Sequence, residues 1–160
     1  MRSMSPTSDV AQPHGLASVA IALGSNLGDR GRNLRRAIQA LRGVVDVVRI
    51  SRIRETDPVG APAGSLRFLN AVVIGHTRLA PEALLGALLS IEKQLGRRRP
   101  APRNAPRTID LDLILHSANL RRSRELTLPH PRYLEREFVM TPLRELGLPW
   151  RDPRTGAALK

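Results

Sequence analysis

Cysteine is absent from all 160 residues of the chain. That excludes disulfides, thiolate metal sites and a cysteine nucleophile. Aromatic residues are almost as scarce: Phe68, Tyr133, Phe138 and Trp150 are the whole set. Sheets that bind RNA stack bases on exposed aromatic side chains, and these strands offer almost none. No apolar run is long enough to span a bilayer. Residues 1–17 are polar and carry Ser and Pro, without the apolar centre of an export signal. They are expected to form a flexible leader on a cytoplasmic protein, with residues 18–160 as one domain. Acidic residues are also few, 14 against 26 Lys and Arg, for a formal net charge of +12. Such a balance attracts polyanions: nucleic acid, nucleotides or an anionic membrane surface. Hydrophobic residues make up 41%, enough for a globular core.

Residues 19–23 form a short apolar run and predict a strand. The segment Gly24-Ser25-Asn26-Leu27-Gly28-Asp29 follows as a turn, and a helix then presents Leu34, Ala37, Ile38 and Leu41 on one face. Residues 44–55 are rich in β-branched side chains and predict a second strand. Residues 56–66 hold two Pro and two Gly and predict a loop before a third strand at 68–76. Pro81 opens a second helix, where its missing N–H costs nothing. Leu84, Leu85, Leu88, Ile91 and Leu95 are its apolar stripe, and Gly96 ends it. Residues 97–107 hold five Arg and three Pro and suit an exposed mobile loop. Residues 108–116 predict the fourth strand, 125–128 a short return strand, and 135–146 contain a last short helix. The order β-α-β-β-α-β is the split-βαβ, ferredoxin-like pattern: an α+β fold with an antiparallel sheet and C-terminal additions.

The most telling stretch is Arg103-Asn104-Ala105-Pro106-Arg107-Thr108-Ile109-Asp110-Leu111-Asp112-Leu113-Ile114-Leu115. Side chains on a strand repeat every two residues, so Asp110 and Asp112 point to one face. Ile109, Leu111, Leu113 and Leu115 are expected on the other. Two adjacent carboxylates on a half-buried strand repel each other unless a cation sits between them. Hard oxygen ligands of this kind suit Mg²⁺, which often shares its shell with substrate phosphates. A second reading is open at this point: solvated carboxylates on an edge strand, paired with nearby Arg. Arg97, Arg98, Arg99, Arg103 and Arg107 add a cluster of charge for phosphate, and Arg107 stands three residues before Asp110. Together these features point to phosphoryl transfer.

Other signals are weaker. The Gly24–Asp29 segment sits where a phosphate loop would, but it lacks the Lys-Ser/Thr ending and does not match GxGxxG. By its local pattern it is a strand-to-helix turn. Arginines at 97–99 also suit the negative end of a helix. A lone His such as His130 is more often structural than catalytic, although Thr127, Arg132 and Arg136 lie close in sequence.

Taken together, GSNLGDR, ETDPVG, FLNAV, LLSIEKQLGRRR, RNAPRTIDLDLIL and LTLPHPRYLEREFVMTPL occur in this order. They closely resemble the 6-hydroxymethyl-7,8-dihydropterin pyrophosphokinase family of folate synthesis, from about residue 19 to about residue 150. The resemblance implies transfer of pyrophosphate from ATP to the hydroxymethyl oxygen of the pterin, releasing AMP. It implies two Mg²⁺ ions held by Asp110 and Asp112. It implies Arg97 and Arg107 as phosphate-gripping catalytic groups, with Arg99 as a weaker third. Nucleotide contacts map to Glu92, Leu113, Thr127, His130 and Arg136. The pterin pocket maps to Thr56, Asp57, Val59, Phe68, Asn70 and Phe138, the two rings sandwiching the pterin. The partners implied are these two substrates, with no nucleic acid and no membrane, and a monomer is expected. Asp57, Asn104, Glu125 and Pro131 depart from residues that some members carry. Three rival readings stand beside this one: a basic RNA-binding module, a different Mg²⁺-dependent nucleotidyl transferase or nuclease, and an inactive paralogue.

Overall fold

The apolar runs of the chain become strands of one antiparallel sheet. The computed structural model describes residues 15–60, 63–99, 101–102, 105–147 and 149–159. Strands β1 (Ala17–Ser25), β2 (Asp46–Ile50), β3 (Arg54–Thr56), β4 (Phe68–Thr77) and β5 (Asp110–His116) alternate with helices α1 (Arg30–Leu41) and α2 (Pro81–Gln94). The sheet runs β2-β4-β1-β5, with β3 also paired to β4. This is the ferredoxin-like order expected from the sequence, with its second strand in two pieces. A two-stranded ribbon, β6 (Arg121–Arg122) with β7 (Thr127–Leu128), a 3₁₀ turn (Tyr133–Glu135) and helix α3 (Glu137–Glu145) complete it. No helix among the described residues is long and apolar enough to cross a membrane.

Both faces of the sheet are covered, which is why β1 is buried along nearly its whole length. Val19, Ile21 and Leu23 face Leu34, Ala37 and Leu41 of α1 and Leu84, Leu88 and Ile91 of α2. The alternate residues Ala20 and Ala22 face the opposite way, with Val72 and Ile74 of β4. There Val139, Met140 and Leu143 of α3 and Tyr133 pack on them. Asp29 starts α1 by accepting from the Arg32 backbone N–H at 3.0 Å. Gly96, at φ +99°, ends the turn after α2 in a conformation that suits glycine alone.

Four expectations need correction. The 1–17 leader is too long, because Ala17 already pairs with Thr77 and is buried in β1; residues 1–14 lie outside the described residues. The single strand at 44–55 is broken after Ile50. The Ser51 N–H still donates to the Val72 carbonyl at 2.9 Å, but the Val72 N–H donates to Ser51 Oγ at 2.9 Å, so a side chain replaces the carbonyl in the return bond of the ladder. Leu115 faces away from Leu111 and Leu113. Ala20 pairs with Leu115 while Ile21 pairs with Leu113, so Ile114 is an extra residue that flips the register. Finally, the return strand at 125–128 shrinks to β7 and pairs with β6, outside the main sheet.

Gly75 of β4 lies against β2 where that strand also shifts register. A Cβ at this position would stand 2.3 Å from the Asp46 carbonyl oxygen and 2.6 Å from a Val45 methyl. Backbone cannot yield as a flexible side chain does. Gly75→Ala is expected to cost about 2 kcal/mol and lower the melting temperature by about 6 °C. A calorimetric melt unchanged by the substitution would contradict this packing.

Candidate active site

Cross-strand pairing sets Asn70 beside Gly24 and Gly24 beside Asp110, in one row across β4, β1 and β5. One step along, Ala22 stands between Val72 and Asp112. Residues paired in this way share a face of the sheet. It is the face that α3 covers, and the row lies beyond that cover. Because β1 contributes only Ala and Gly here, the floor is low, and a cleft of about 310 Å³ opens above it. A Cβ on Gly24 would stand 3.0 Å from Asn70 Oδ1 and 3.3 Å from the Phe68 ring.

Of the residues singled out in the sequence, Thr56, Asp57, Val59, Phe68, Asn70, Arg107, Asp110, Asp112, Arg136 and Phe138 all line this cleft. Asn70 donates its amide N–H to Thr56 Oγ1. A guanidinium lies over each ring, Arg107 at 5.8 Å from Phe68 and Arg136 at 5.6 Å from Phe138. Two further hollows adjoin. One of about 620 Å³ is lined by Arg97, Arg98, Arg99 and Arg107. The other, of about 240 Å³, is lined by Leu113, Thr127 and His130, and Asp112 borders it as well as the cleft. Arg103 and Asn104 lie outside the described residues.

The two carboxylates of β5 are treated differently. Asp110 accepts from Arg97 at 2.6 Å and from Arg107 at 3.3 Å. Asp112 has no ion pair among the described residues. Burial and the neighbouring charge of Asp110 push it up to about 7. A divalent cation beside the pair would remove that repulsion, and the donors are the hard oxygens that Mg²⁺ prefers, so the two residues fit such an ion. The described residues hold no group of three or more His, Cys, Asp or Glu able to bind a metal. Asp110 and Asp112 could therefore supply only part of a shell, leaving the rest to water or phosphate.

Glu92 is not at the surface of any of these hollows. Only 2% of its side chain is exposed. It accepts from Arg97 at 2.8 Å, Arg99 at 3.0 Å and the Leu111 N–H at 2.8 Å. One buried carboxylate of α2 thus holds the root of the arginine loop and the start of β5 together. Its hydrophobic-stripe position in the sequence concealed this, although an acid in the apolar helix run just before three Arg is the signal. His130 is pushed down to about 4 by burial and Arg136, and so is neutral at pH 7. The Arg132 N–H donates to its Nδ1 at 3.3 Å, which leaves the ring proton on Nε2.

Asn26 was hidden in the strand-to-helix turn. It accepts the Arg107 N–H at 2.8 Å, donates its own backbone N–H to the Arg107 carbonyl at 3.1 Å, and donates from its side chain to the Leu66 carbonyl at 3.3 Å. One buried amide thereby ties the loop after β3 to the loop before β5. Its partners are 40 and 81 residues away, beyond any local pattern.

Two solved HPPK-DHPS structures share this fold. One, in complex with substrates, matches at a TM-score of 0.65 over 89% of this chain and 42% of its own, with 13% identity. The other, from Plasmodium falciparum with pteroate, matches at 0.60 over 82% and 40%, with 12% identity. These define an α+β fold of the HPPK type. The family description 7,8-dihydro-6-hydroxymethylpterin-pyrophosphokinase (HPPK) matches residues 20–148, and the chain belongs to that family. The Bacillus subtilis 2-amino-4-hydroxy-6-hydroxymethyldihydropteridine pyrophosphokinase is 45% identical over 79% of this chain and 75% of its own length. The Synechocystis enzyme of the same name is 37% identical over 99% and 80%. The Arabidopsis thaliana folate synthesis bifunctional protein is 41% identical over 80% of this chain, which spans only 26% of that longer protein.

A carboxyl whose pKa is raised on folding stabilises the fold below its unfolded value, about 4, and that contribution is lost as pH rises through about 7. The ligand-free protein is therefore expected to lose more stability between pH 5 and pH 8 than its Asp112→Asn variant. Parallel melting profiles for the two across that range would refute the assignment of strain to Asp112. Gly24→Ala is expected to raise KM for the substrate of the cleft about tenfold, with a melting temperature close to that of the parent. Steady-state kinetics check this, and an unchanged KM would count against it.

Proposed function

We propose that the protein transfers the terminal pyrophosphoryl group of ATP to the hydroxymethyl oxygen of 6-hydroxymethyl-7,8-dihydropterin, releasing AMP. Membership of the family supports the reaction. The single structural observation that supports it most is the convergence of Asp110, Asp112, Arg97 and Arg107, with Arg107 shared by the cleft and the arginine hollow and Asp112 shared by the cleft and the third hollow.

The division of labour follows from the chemistry of each wall. Phe68 and Phe138 offer aromatic faces to a flat heterocycle. Asn70 carries an acceptor and a donor for the amide edge of a pterin, and its bond to Thr56 orients it. Thr56, Asp57 and Val59 border the same end. Arg97, Arg99 and Arg107 neutralise the triphosphate, and Arg107 reaches both the cleft and the arginine hollow. Arg136 adds charge at the cleft. His130, neutral with its proton on Nε2, donates to a phosphate oxygen, while Leu113 and Thr127 line the hollow suited to the nucleoside. Glu92 acts on the nucleotide through the arginines that it holds. Asp110 and Asp112 would hold Mg²⁺, which when bound supplies charge neutralisation and Lewis acidity at the phosphates. In the ligand-free state Arg97 and Arg107 neutralise Asp110, so the site carries its own counter-charges before substrate arrives. The loops after β3 and before β5 flank the cleft, and closing them over ATP would exclude water as a competing acceptor.

Incubating the protein with ATP, Mg²⁺ and the hydroxymethyl dihydropterin should yield AMP and the pterin diphosphate. AMP formation should require the pterin. ADP in place of AMP as the nucleotide product, or pyrophosphate released free instead of joined to the pterin, would overturn the reaction proposed. Asp112→Ala should abolish turnover with the far-UV circular dichroism spectrum retained. Arg107→Ala should lower kcat on the order of 10³-fold; a loss below tenfold would remove Arg107 from the charge-stabilising role.

A further inference from the structure

We infer that the C-terminal segment 150–159, which lies beyond the part of the chain matched to the family, is a hook that positions Arg136 and Phe138 relative to His130, with Tyr133 and Asp152 as its positioning residues. This rests on the pyrophosphokinase reading above. The family match stops at residue 148, yet the chain goes on to build a specific structure. Arg151 pairs with Ala158 in a β-bridge, and the Leu159 N–H donates to the Trp150 carbonyl at 2.9 Å. Trp150 and Leu159 pack on the same side of the sheet as α3. Asp152 closes the bend: its carbonyl accepts the Gly156 N–H at 2.7 Å and its carboxylate the Arg154 N–H at 2.7 Å.

Asp152 is only 1% exposed. It accepts from the Tyr133 hydroxyl at 2.7 Å, and from the Arg154 guanidinium at 2.9 and 3.3 Å. Arg154 also lies 5.7 Å from the centre of the Tyr133 ring. A buried phenol and a buried carboxylate are costly unless satisfied, and here each satisfies the other. Hydrogen bonds from Arg154 hold Asp152 down at about 2, so it stays ionised at neutral pH. Neither Tyr133 nor Asp152 lines the cleft, so any effect they have on the reaction passes through other residues.

What Tyr133 does control is the path between site residues. Pro131, Arg132, Leu134 and Glu135 are exposed, so Tyr133 is the one buried side chain between His130 and Arg136. Its carbonyl accepts the Arg136 N–H at 3.2 Å, and the Arg136 carbonyl in turn accepts the N–H groups of Val139 and Met140 at 2.9 Å. On the other side, the His130 N–H is fixed to the Ile114 carbonyl at 2.9 Å. A rotation at Tyr133 therefore shifts Arg136 and Phe138 at the cleft, while His130 holds the neighbouring hollow. Misplacement by about 1 Å is enough to cost substantial activity.

The test uses full-length protein carrying Tyr133→Phe, Asp152→Asn or Asp152→Ala, assayed well below each melting temperature. Asp152→Ala should raise KM for ATP or pterin about tenfold, with a smaller fall in kcat. Asp152→Asn keeps an oxygen for the tyrosine and should fall between it and the parent. Tyr133→Phe keeps the ring packed, so it should fold even if the Asp152 variants do not, and should still raise KM. Adding it to Asp152→Ala should produce no further loss, because the two act in series. Unchanged KM values in Tyr133→Phe, with or without a lower melting temperature, would overturn the proposal. If the parent protein forms no AMP, the functional reading fails, and hydrogen exchange judges the hook by itself. Amides 132–140 should then exchange faster in Tyr133→Phe while those of β1 and β4 stay protected, and unchanged protection at 132–140 would sink it.

Discussion

Two carboxylates on one face of a half-buried strand repel each other, and the site is organised around that repulsion. Asp110 is neutralised by Arg97 and Arg107. Asp112 receives no such partner among the described residues, and its charge is held back by burial and by Asp110. The cleft thus stores an electrostatic demand that a divalent cation and a polyphosphate would meet together: cation to the acids, phosphate to the arginines. Glu92 keeps the arrangement from collapsing. If Asp110 turned to a cation, Arg97 would still be tethered to the buried acid of α2, and Arg99 with it.

The sheet leaves room for this chemistry by being thin at one end. Val19, Ile21 and Leu23 fill the helix-covered side of β1, whereas Ala20, Ala22 and Gly24 keep the other side low. Where α3 covers that side, the small residues admit its Val139, Met140 and Leu143. Beyond the helix, the same small residues become the floor between Asn70 and Asp110. One strand pattern therefore builds both the second core and the cleft. Asn26, at the end of the same strand, fastens the two flanking loops to one point.

The parts of the site reach back into the chain by different routes. The acids belong to a strand, Arg97 and Arg99 follow a helix, and His130, Arg136 and Phe138 sit on a segment whose buried anchor is a single tyrosine. That anchor is completed by residues that lie outside the family match. A reaction centre can be supported from outside the matched segment, because support needs only to fix positions and many contacts can do so.

Much of this molecule was written locally. The periodic apolar residues of α1 and α2, the Pro at the start of α2 and the Gly at its end sufficed to order the elements. The two-residue repeat of β5 sufficed to bring Asp110 and Asp112 onto one face. Local pattern did not disclose the bulge that turns Leu115 around, since a register shift depends on the partner strand. Nor did it disclose the ties of Asn26, the burial of Glu92 under two arginines, or the Tyr133–Asp152 bond. Each of those joins polar groups from separate elements, and only packing removes the water that would otherwise satisfy them separately.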